Sequence, residues 1–359
     1  MKLFYITKVS IPSSAAQSVQ IASMCEVFGK KDIHFELYSP LNNENKNISK
    51  PYKWNKIKLL TKFRYLEMII RMILIVIRKK PTHIFTREIA IAYVFSFFNL
   101  KTIYEAHKEP KTKTASFMIK QLKKFNNFKL VTISKALKDY YINEYNYEEN
   151  QVFDYHDGVF LEKYDTFRNI SKEGLRKKLD LPIDKTIIMH TGSLYKGKDA
   201  ELFKSIVDNL NDILFIQIGG SKEDITRYKE FYKDNKNIIF IGHQDHEKII
   251  QYQMSADLLF YALTKSNSLW QFTSPLKLFE YMATGIPILG SNIGSVREVL
   301  NETNSIPFDP EDEQSIVDGV RFYLKNKVEV EKRAKNALKD VREKYTWDKR
   351  AKSILEFIK

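Results

Sequence analysis

Two doubly wound α/β domains, each a parallel sheet wrapped by helices on both faces, are the fold that this sequence predicts. Three observations predict it. Short β-branched or aromatic runs alternate with longer helical patterns, as parallel strands and their crossover helices require. The alternation pauses at a polar stretch, residues 161–184, which contains Gly174 and Pro182, and then resumes. The 359 residues suffice for two ordinary domains with full cores.

In order, strands are expected at residues 3–6, 34–38, 83–86, 102–104 and 130–133, where Val, Ile, Leu, Phe and Tyr crowd together. Helices are expected between them at 15–28, 57–77, 90–98, 114–125 and 135–145, with Ser134 as an N-cap. The second series of strands falls at 186–190, 213–219, 238–241, 257–261 and 287–289, again separated by helices. Residues 1–7 read as a first strand rather than as the basic and apolar regions of a secretory leader. The longest lipophilic run, residues 68–77, is interrupted by Arg71 and is too short to span a bilayer, so a soluble protein is expected. A single cysteine, Cys25, permits no disulfide within the chain and suits a reducing compartment.

The net charge of +14 is unevenly placed. Residues 1–160 hold 26 Lys/Arg against 14 Asp/Glu, and residues 161–359 hold 32 against 30. The surplus is densest over residues 50–80, where the cations are threaded among aromatic and aliphatic positions, and recurs over 111–129. Basic amphipathic segments suit an anionic membrane surface, a nucleic-acid backbone, or plain solvation. The interleaved apolar residues favour the membrane over nucleic acid, and no nucleic-acid module pattern is present.

In doubly wound sheets, ligands meet the loops that follow the strands. One such loop is Thr191-Gly-Ser-Leu-Tyr-Lys-Gly-Lys198, where Lys196 and Lys198 can serve a phosphate. Gly219 and Gly220 allow close backbone approach. His243 and His246 lack a clear third metal ligand. The stretch from Thr273 to Ser291 is the most informative. Ser274 can cap a helix, Pro275 suits its first turn, Lys277 adds a charge one turn in, and Glu280 follows on the same face. A helix start of this kind favours an anion; the same residues also fit a capped core helix with Lys277 and Glu280 on its wet side. In the first half, Glu105 and His107 close a strand, where the pair can orient or deprotonate a hydroxyl or simply satisfy local backbone groups. Arg87 closes another, free to reach a ligand or to pair with Glu88. No Walker A, G-x-G-x-x-G or G-x-S-x-G pattern is present.

Taken in order, these fragments resemble glycosyltransferase family 4 enzymes of GT-B architecture along nearly the whole chain. The matching pieces are residues 10–14, 104–107, 132–136, 157–159, 192–197, 240–243, 256–257 and 274–285, with Tyr345-Thr-Trp347 leading into the last helix. The resemblance implies an acceptor-binding domain over 1–165, a nucleotide-sugar-binding domain over 166–344, a cleft between them, and a helix at 345–359 that returns to the first domain. It implies transfer of a sugar from a nucleotide-diphosphate donor with retention of configuration, with no cofactor or metal. Lys196, with Lys198 beside it, would neutralise the diphosphate, together with the backbone at Pro275, Leu276 and Lys277. Glu280 would take the ribose, Gly242 and His243 would flank the base, and His107 would contact the transferring sugar. Ser13, Ser14 and Arg87 are further candidates for acceptor or sugar contact. Four positions depart from the family pattern. Phe272 stands where a carboxylate often meets the donor sugar, Ser193 where an arginine often follows the glycine, and Ser13 and Ser14 where two glycines are frequent. The expected protein is a cytoplasmic transferase, peripheral at the inner face of the membrane, using a glycan or lipid-linked acceptor and no nucleic acid. A nucleotide-sugar epimerase or hydrolase of the same architecture, or a non-catalytic nucleotide-sugar-binding protein, is the alternative.

Overall fold

The computed structural model describes residues 1–11, 16–41, 50–194 and 200–359. They form two units: Met1–Asp157 with Trp347–Lys359, and Gly158–Thr346. The first unit runs β1 (Lys2–Ile6), α1 (Ala16–Gly29), β2 (His34–Pro40), β3 (Lys53–Ile57), α2 (Arg64–Lys79), β4 (His83–Thr86) and α3 (Ile89–Phe97). It continues with β5 (Lys101–Ala106), α4 (Lys113–Leu122), β6 (Phe128–Thr132), α5 (Lys135–Tyr145) and β7 (Val152–Asp154). All seven strands are parallel, in the order β3-β2-β1-β4-β5-β6-β7.

The second unit opens with α6 (Leu161–Asp165) and α7 (Lys172–Lys178), then β8 (Thr186–Thr191), α8 (Phe203–Val207), β9 (Ile213–Ile218), α9 (Lys222–Phe231) and β10 (Ile238–Ile241). After α10 (His246–Ser255) and β11 (Leu258–Tyr261) come α11 (Leu276–Thr284), β12 (Ile288–Ser291), β13 (Ile306–Phe308), α12 (Glu313–Lys325) and α13 (Lys327–Lys344). The last helix, α14 (Trp347–Phe357), belongs to the first unit. The six strands are again parallel, ordered β10-β9-β8-β11-β12-β13. In both sheets the order reverses beside the first strand, next to β1 and next to β8. That reversal opens a crevice at the carboxyl ends of the strands, where open α/β sheets take ligands.

Strand alternation divides the second unit's core between the two sheet faces. Ile187, Met189 and Ile216 join one buried cluster, while Ile188, Phe215 and Phe260 join the other. A strand covered on both sides reads as a continuous apolar run, which is why these strands stand out in the sequence.

The expected helix at 57–77 is corrected in its first third: Ile57 ends the edge strand β3, and the helix begins only at Arg64. Edge strands such as β3 and β7 bury little, and three-residue strands such as β7 and β13 are too short to leave a pattern. The polar stretch 161–184 opens the second unit. It carries α6 and α7, and from α7 Lys172 and Arg176 bind Asp257 at 2.5 and 2.6 Å, which bolts the segment to the start of β11. Ser134 does cap α5, accepting from the Leu137 amide at 3.3 Å. Among the described residues no helix is long and apolar enough to cross a membrane.

Candidate functional site

The register of the second sheet places His190 opposite Gln217, each one step before the end of its strand. Both side chains are buried and polar in otherwise apolar strands, so each must find partners. They find each other and Lys277. The Lys277 ammonium donates to His190 Nε2 at 2.7 Å, His190 Nδ1 donates to Gln217 Oε1, and Gln217 Nε2 donates to the Gly192 carbonyl at 2.9 Å. Lysine is always a donor here, so Nε2 must carry the lone pair and the ring must be neutral. Burial, then the Lys277 charge, push the His190 pKa well down, against the pull of Gln217. The relay thus pins a lysine cation at the turn after β8.

That turn requires glycine. Gly192 has φ +134, and a Cβ there would lie 3.0 Å from the Lys277 ammonium; a Cβ on Gly219, at φ +106, would lie 2.6 Å from the Gly192 carbonyl oxygen. The Thr191 amide donates to the Tyr281 hydroxyl at 2.8 Å, and Gln253 donates to Thr191 Oγ1 at 3.0 Å, fixing the strand end to α11 and α10.

The start of α11 differs from the expectation in one respect. Pro275, extended at ψ 127, occupies the cap position, and Ser274 lies one residue outside it as a buried side chain. Proline has no amide to satisfy, so the chain turns into the helix without a side-chain cap. The amides of Leu276 and Lys277 therefore head the helix, and the Leu278 amide closes onto the Pro275 carbonyl at 3.0 Å. Ser295 Oγ donates to the Thr273 carbonyl at 2.6 Å and holds the preceding loop, which includes Phe272, in place. On the same helix face as Lys277, the Glu280 carboxylate lies 3.3 Å from His246 Nε2 at the start of α10. A cavity of 430 Å³ opens beside His246, lined also by Lys163, Thr166, Phe167 and Ile250.

Not every expected residue joins this group. Ser193 is exposed just beyond Gly192. Gly242 and His243 follow β10, the edge strand two places from β8, and His243 is exposed; among the described residues no contact ties either of them to Lys277 or Glu280. His246, three residues on, makes that link instead. Among the described residues no three His, Cys, Asp or Glu side chains converge as a metal site. Lys196, Lys198, Ser13 and Ser14 lie outside the described residues.

In the first unit a buried charge cluster surrounds the other candidates. His107 Nε2 lies 2.6 Å from Glu105 Oε1, and Arg350 of α14 donates to Glu105 Oε2 at 2.9 Å. Arg87 lies 3.8 Å from the same carboxylate and donates to Gln20, which donates in turn to Asp157 at 2.5 Å. Arg350 also donates to the Tyr155 carbonyl at 2.8 Å, and its Nε is 3.6 Å from Asp157. Burial alone would raise the Glu105 pKa, but Arg350, then His107 and Arg87, hold it well below the usual carboxylate range. Burial and Arg87 hold His107 down to about 4 despite Glu105. Its Nε2–H therefore faces a carboxylate and its Nδ1 keeps a lone pair. Glu105, with both oxygens engaged, holds the ring and is not placed to exchange a proton with a ligand. Arg87 is likewise turned inward to Glu105, while Glu88 pairs with Lys8 at 3.0 Å.

His190, Gln217, Gln20 and Arg350 are absent from the sequence-derived set, and His246 stands there only as an incomplete metal ligand. The legible signal for the first two is a lone polar residue near the end of an apolar strand; Arg350 carries no such signal.

Comparison with known proteins agrees with this geometry. Over 247 residues the chain is 26% identical to an uncharacterized glycosyltransferase of Methanocaldococcus jannaschii, covering 66% of this chain and 61% of the relative. It is 21% identical over 187 residues to a putative teichuronic acid biosynthesis glycosyltransferase of Bacillus subtilis, covering 51% of this chain and 44% of the relative. The matches thus span less than two thirds of either relative's length. A solved glycosyltransferase of Rickettsia africae has the same fold, with a TM-score of 0.80 and 16% identity over 99% of this chain and 98% of that one. So does HepE of Anabaena, solved in complex with UDP, with a TM-score of 0.77 and 12% identity over 99% of each chain. Residues 171–340 match the family described as glycosyl transferases group 1.

Proposed function

We propose that this protein moves a sugar from a nucleoside-diphosphate donor to a glycan or lipid-linked acceptor, with retention of configuration and without a metal. The observation that carries the reading is the Lys277 ammonium, pinned against the glycine turn at the head of α11 and at the strand-order reversal of the second unit. In transfer, the bond from the anomeric carbon to the diphosphate oxygen breaks, and a bond to the acceptor oxygen forms on the same face. The acceptor's proton leaves with the diphosphate. Negative charge grows on the departing diphosphate, and a preorganised cation with helix-terminal amides stabilises it. Lys277 and the amides at Leu276 and Lys277 take that role, joined by Lys196 and Lys198. Glu280 accepts from the ribose hydroxyls, and the Nδ1 lone pair of His107 accepts from a hydroxyl of the transferring sugar. The domain match over residues 171–340 and the UDP bound by HepE support a nucleotide-sugar donor. The teichuronic acid relative favours a surface-glycan product. The basic surplus of residues 1–160 favours work at the inner, anionic face of a membrane.

A panel of nucleotide sugars scored by thermal stabilisation identifies the donor, because a ligand that binds only the folded state raises its stability. Product analysis with and without a lipid-linked acceptor then tests the transfer. Full turnover without acceptor replaces this reading with an epimerase or hydrolase, and Lys277→Ala with Glu280→Ala acting normally at subsaturating donor rejects the site.

A further inference from the structure

Helix α2 is apolar on two opposite sides. Met68, Met72 and Val76 face inward and join the core with Phe4, Tyr38 and Phe95. On the other side Phe63, Leu66, Ile70, Leu74 and Ile77 are 77%, 58%, 52%, 64% and 65% exposed. At about 100° per residue these five form a stripe about 80° wide along the helix. Arg64, Arg71 and Arg78, seven residues apart, make a column along one edge of that stripe. A solvated helix face does not need five large apolar side chains in register, and leaving them in water is costly.

We infer that this stripe seats α2 flat in the surface of an anionic membrane, with its apolar side among the acyl chains and the arginine column at the phosphates. Charge decides between a membrane and other partners. Residues 50–80 hold ten Lys/Arg against one acid, Glu67. Glu67 is itself occupied, bonding the amides of Leu60 and Thr61 and pairing with Arg71 at 2.8 Å. Arg64 and Arg78 have no ion-pair partner among the described residues. Antiparallel two-fold pairing with a second copy would set one arginine column beside the other, which opposes that mode of association. The residues of the same unit outside the description cannot fill the role by composition: 42–49 offers one large apolar side chain, Ile48. A helix with charge on one edge, apolar residues on the exposed side and too little length to span is the form that lies in a lipid interface, buried by about 5–10 Å. The sixteen residues of α2 give about 24 Å of contact.

The inference rests on the reading that the acceptor is presented at a membrane, and the experiment separates the two claims. The full chain is sedimented with phosphatidylcholine vesicles, with and without phosphatidylglycerol, while UDP stabilisation is followed in parallel. The expected result is partition onto the anionic vesicles only. Leu66→Ser/Ile70→Ser/Leu74→Ser should reduce it about tenfold or more, while Arg64→Gln/Arg78→Gln should erase the preference for phosphatidylglycerol. Both variants should retain the UDP shift. Leu74→Trp should show a blue-shifted emission component on anionic vesicles. Unchanged partition of the serine variant overturns the inference. So does a wild-type dimer, seen by light scattering, that the serine variant dissolves, since the stripe would then join two copies. Vesicle binding that follows these predictions without UDP stabilisation of any variant supports the surface and removes the transferase reading.

Discussion

His190 and Lys277 are 87 residues apart in the chain, yet the histidine's role is to hold the lysine's charge. Removing it should free the ammonium to wander from the glycine turn. His190→Ala or Gln217→Leu is expected to raise the donor KM about tenfold, roughly the worth of one hydrogen bond to a charged group, with a smaller change in kcat. In combination with Lys277→Ala, His190→Ala should add almost nothing. Additive losses would mean that the relay does not act through Lys277.

The charge cluster of the first unit makes a prediction of a different kind. His107 is held down from 6.5 to about 4, so the unfolded chain binds more protons between those values, and stability falls as pH drops through the window. Asp157 is pushed up by burial, and secondarily by Glu105, from 3.8 to about 6 despite Arg350. There the folded chain binds more protons, and stability rises as pH drops. The two slopes oppose each other between about pH 4 and 6. Glu105, depressed in the fold, loses its contribution as pH falls below its ordinary range. His190, also held well below the ordinary histidine range, adds a second contribution that falls with pH, so urea unfolding should show a shallow decline from about pH 6 that steepens below about pH 4.5. Asp157→Asn should steepen the shallow stretch, and His107→Gln should flatten it. A slope between about pH 6 and 4.5 unchanged in both variants rejects the assignment.

At the scale of elements, the parallel strands were the legible part. Buried on both faces, β8, β9, β11 and β12 write apolar runs that need no partner to be recognised. The edge strands β3, β7 and β13 write almost nothing, and the start of α2 was misplaced because the same apolar alternation continues from β3 into the helix. Lys277 and Glu280 stood out in the sequence because they lie two and five residues after a Pro, in a helix that a Gly ends. The Gly192–Gly219 contact was not, since it joins the ends of two neighbouring strands and depends on their register. It is testable: Gly219→Ala places a Cβ 2.6 Å from the Gly192 oxygen at a φ that disfavours alanine. The expected cost is about 1–3 kcal/mol by denaturant titration, with a weakened UDP shift. A neutral Gly219→Ala would show that the turn yields more easily than its geometry indicates.

Over the whole molecule, the return of the chain was legible only through the family resemblance carried by Tyr345-Thr-Trp347, and the side-chain pairing it makes was not legible at all. The chain leaves the first unit at Asp157 and comes back at Trp347, and the residues on either side of the second unit are tied by the Val159–Thr346 bridge and a Val159 amide bond to the Tyr345 carbonyl at 3.0 Å. Arg350 then meets a glutamate 245 positions earlier. No periodicity or local spacing encodes such a pairing. Arg350→Met should strip the buried Asp157 and Glu105 of their shared guanidinium and leave Glu105 only His107 and the more distant Arg87, a loss of about 3–5 kcal/mol. Calorimetry with and without UDP should place that loss in the transition of the first unit and leave the UDP-sensitive transition in position. Equal lowering of both would show that the units unfold as one.

The arginine in α14 also orders events during synthesis. The ribosome delivers Glu105 and Asp157 early, and their counter-charge arrives only after some 190 further residues have been made. Until then the nascent first unit holds two carboxylates without the guanidinium that balances them. The second unit, continuous from 158 to 346, can close on its own before its predecessor does. The half of the protein that is translated first is thus the half that is finished last.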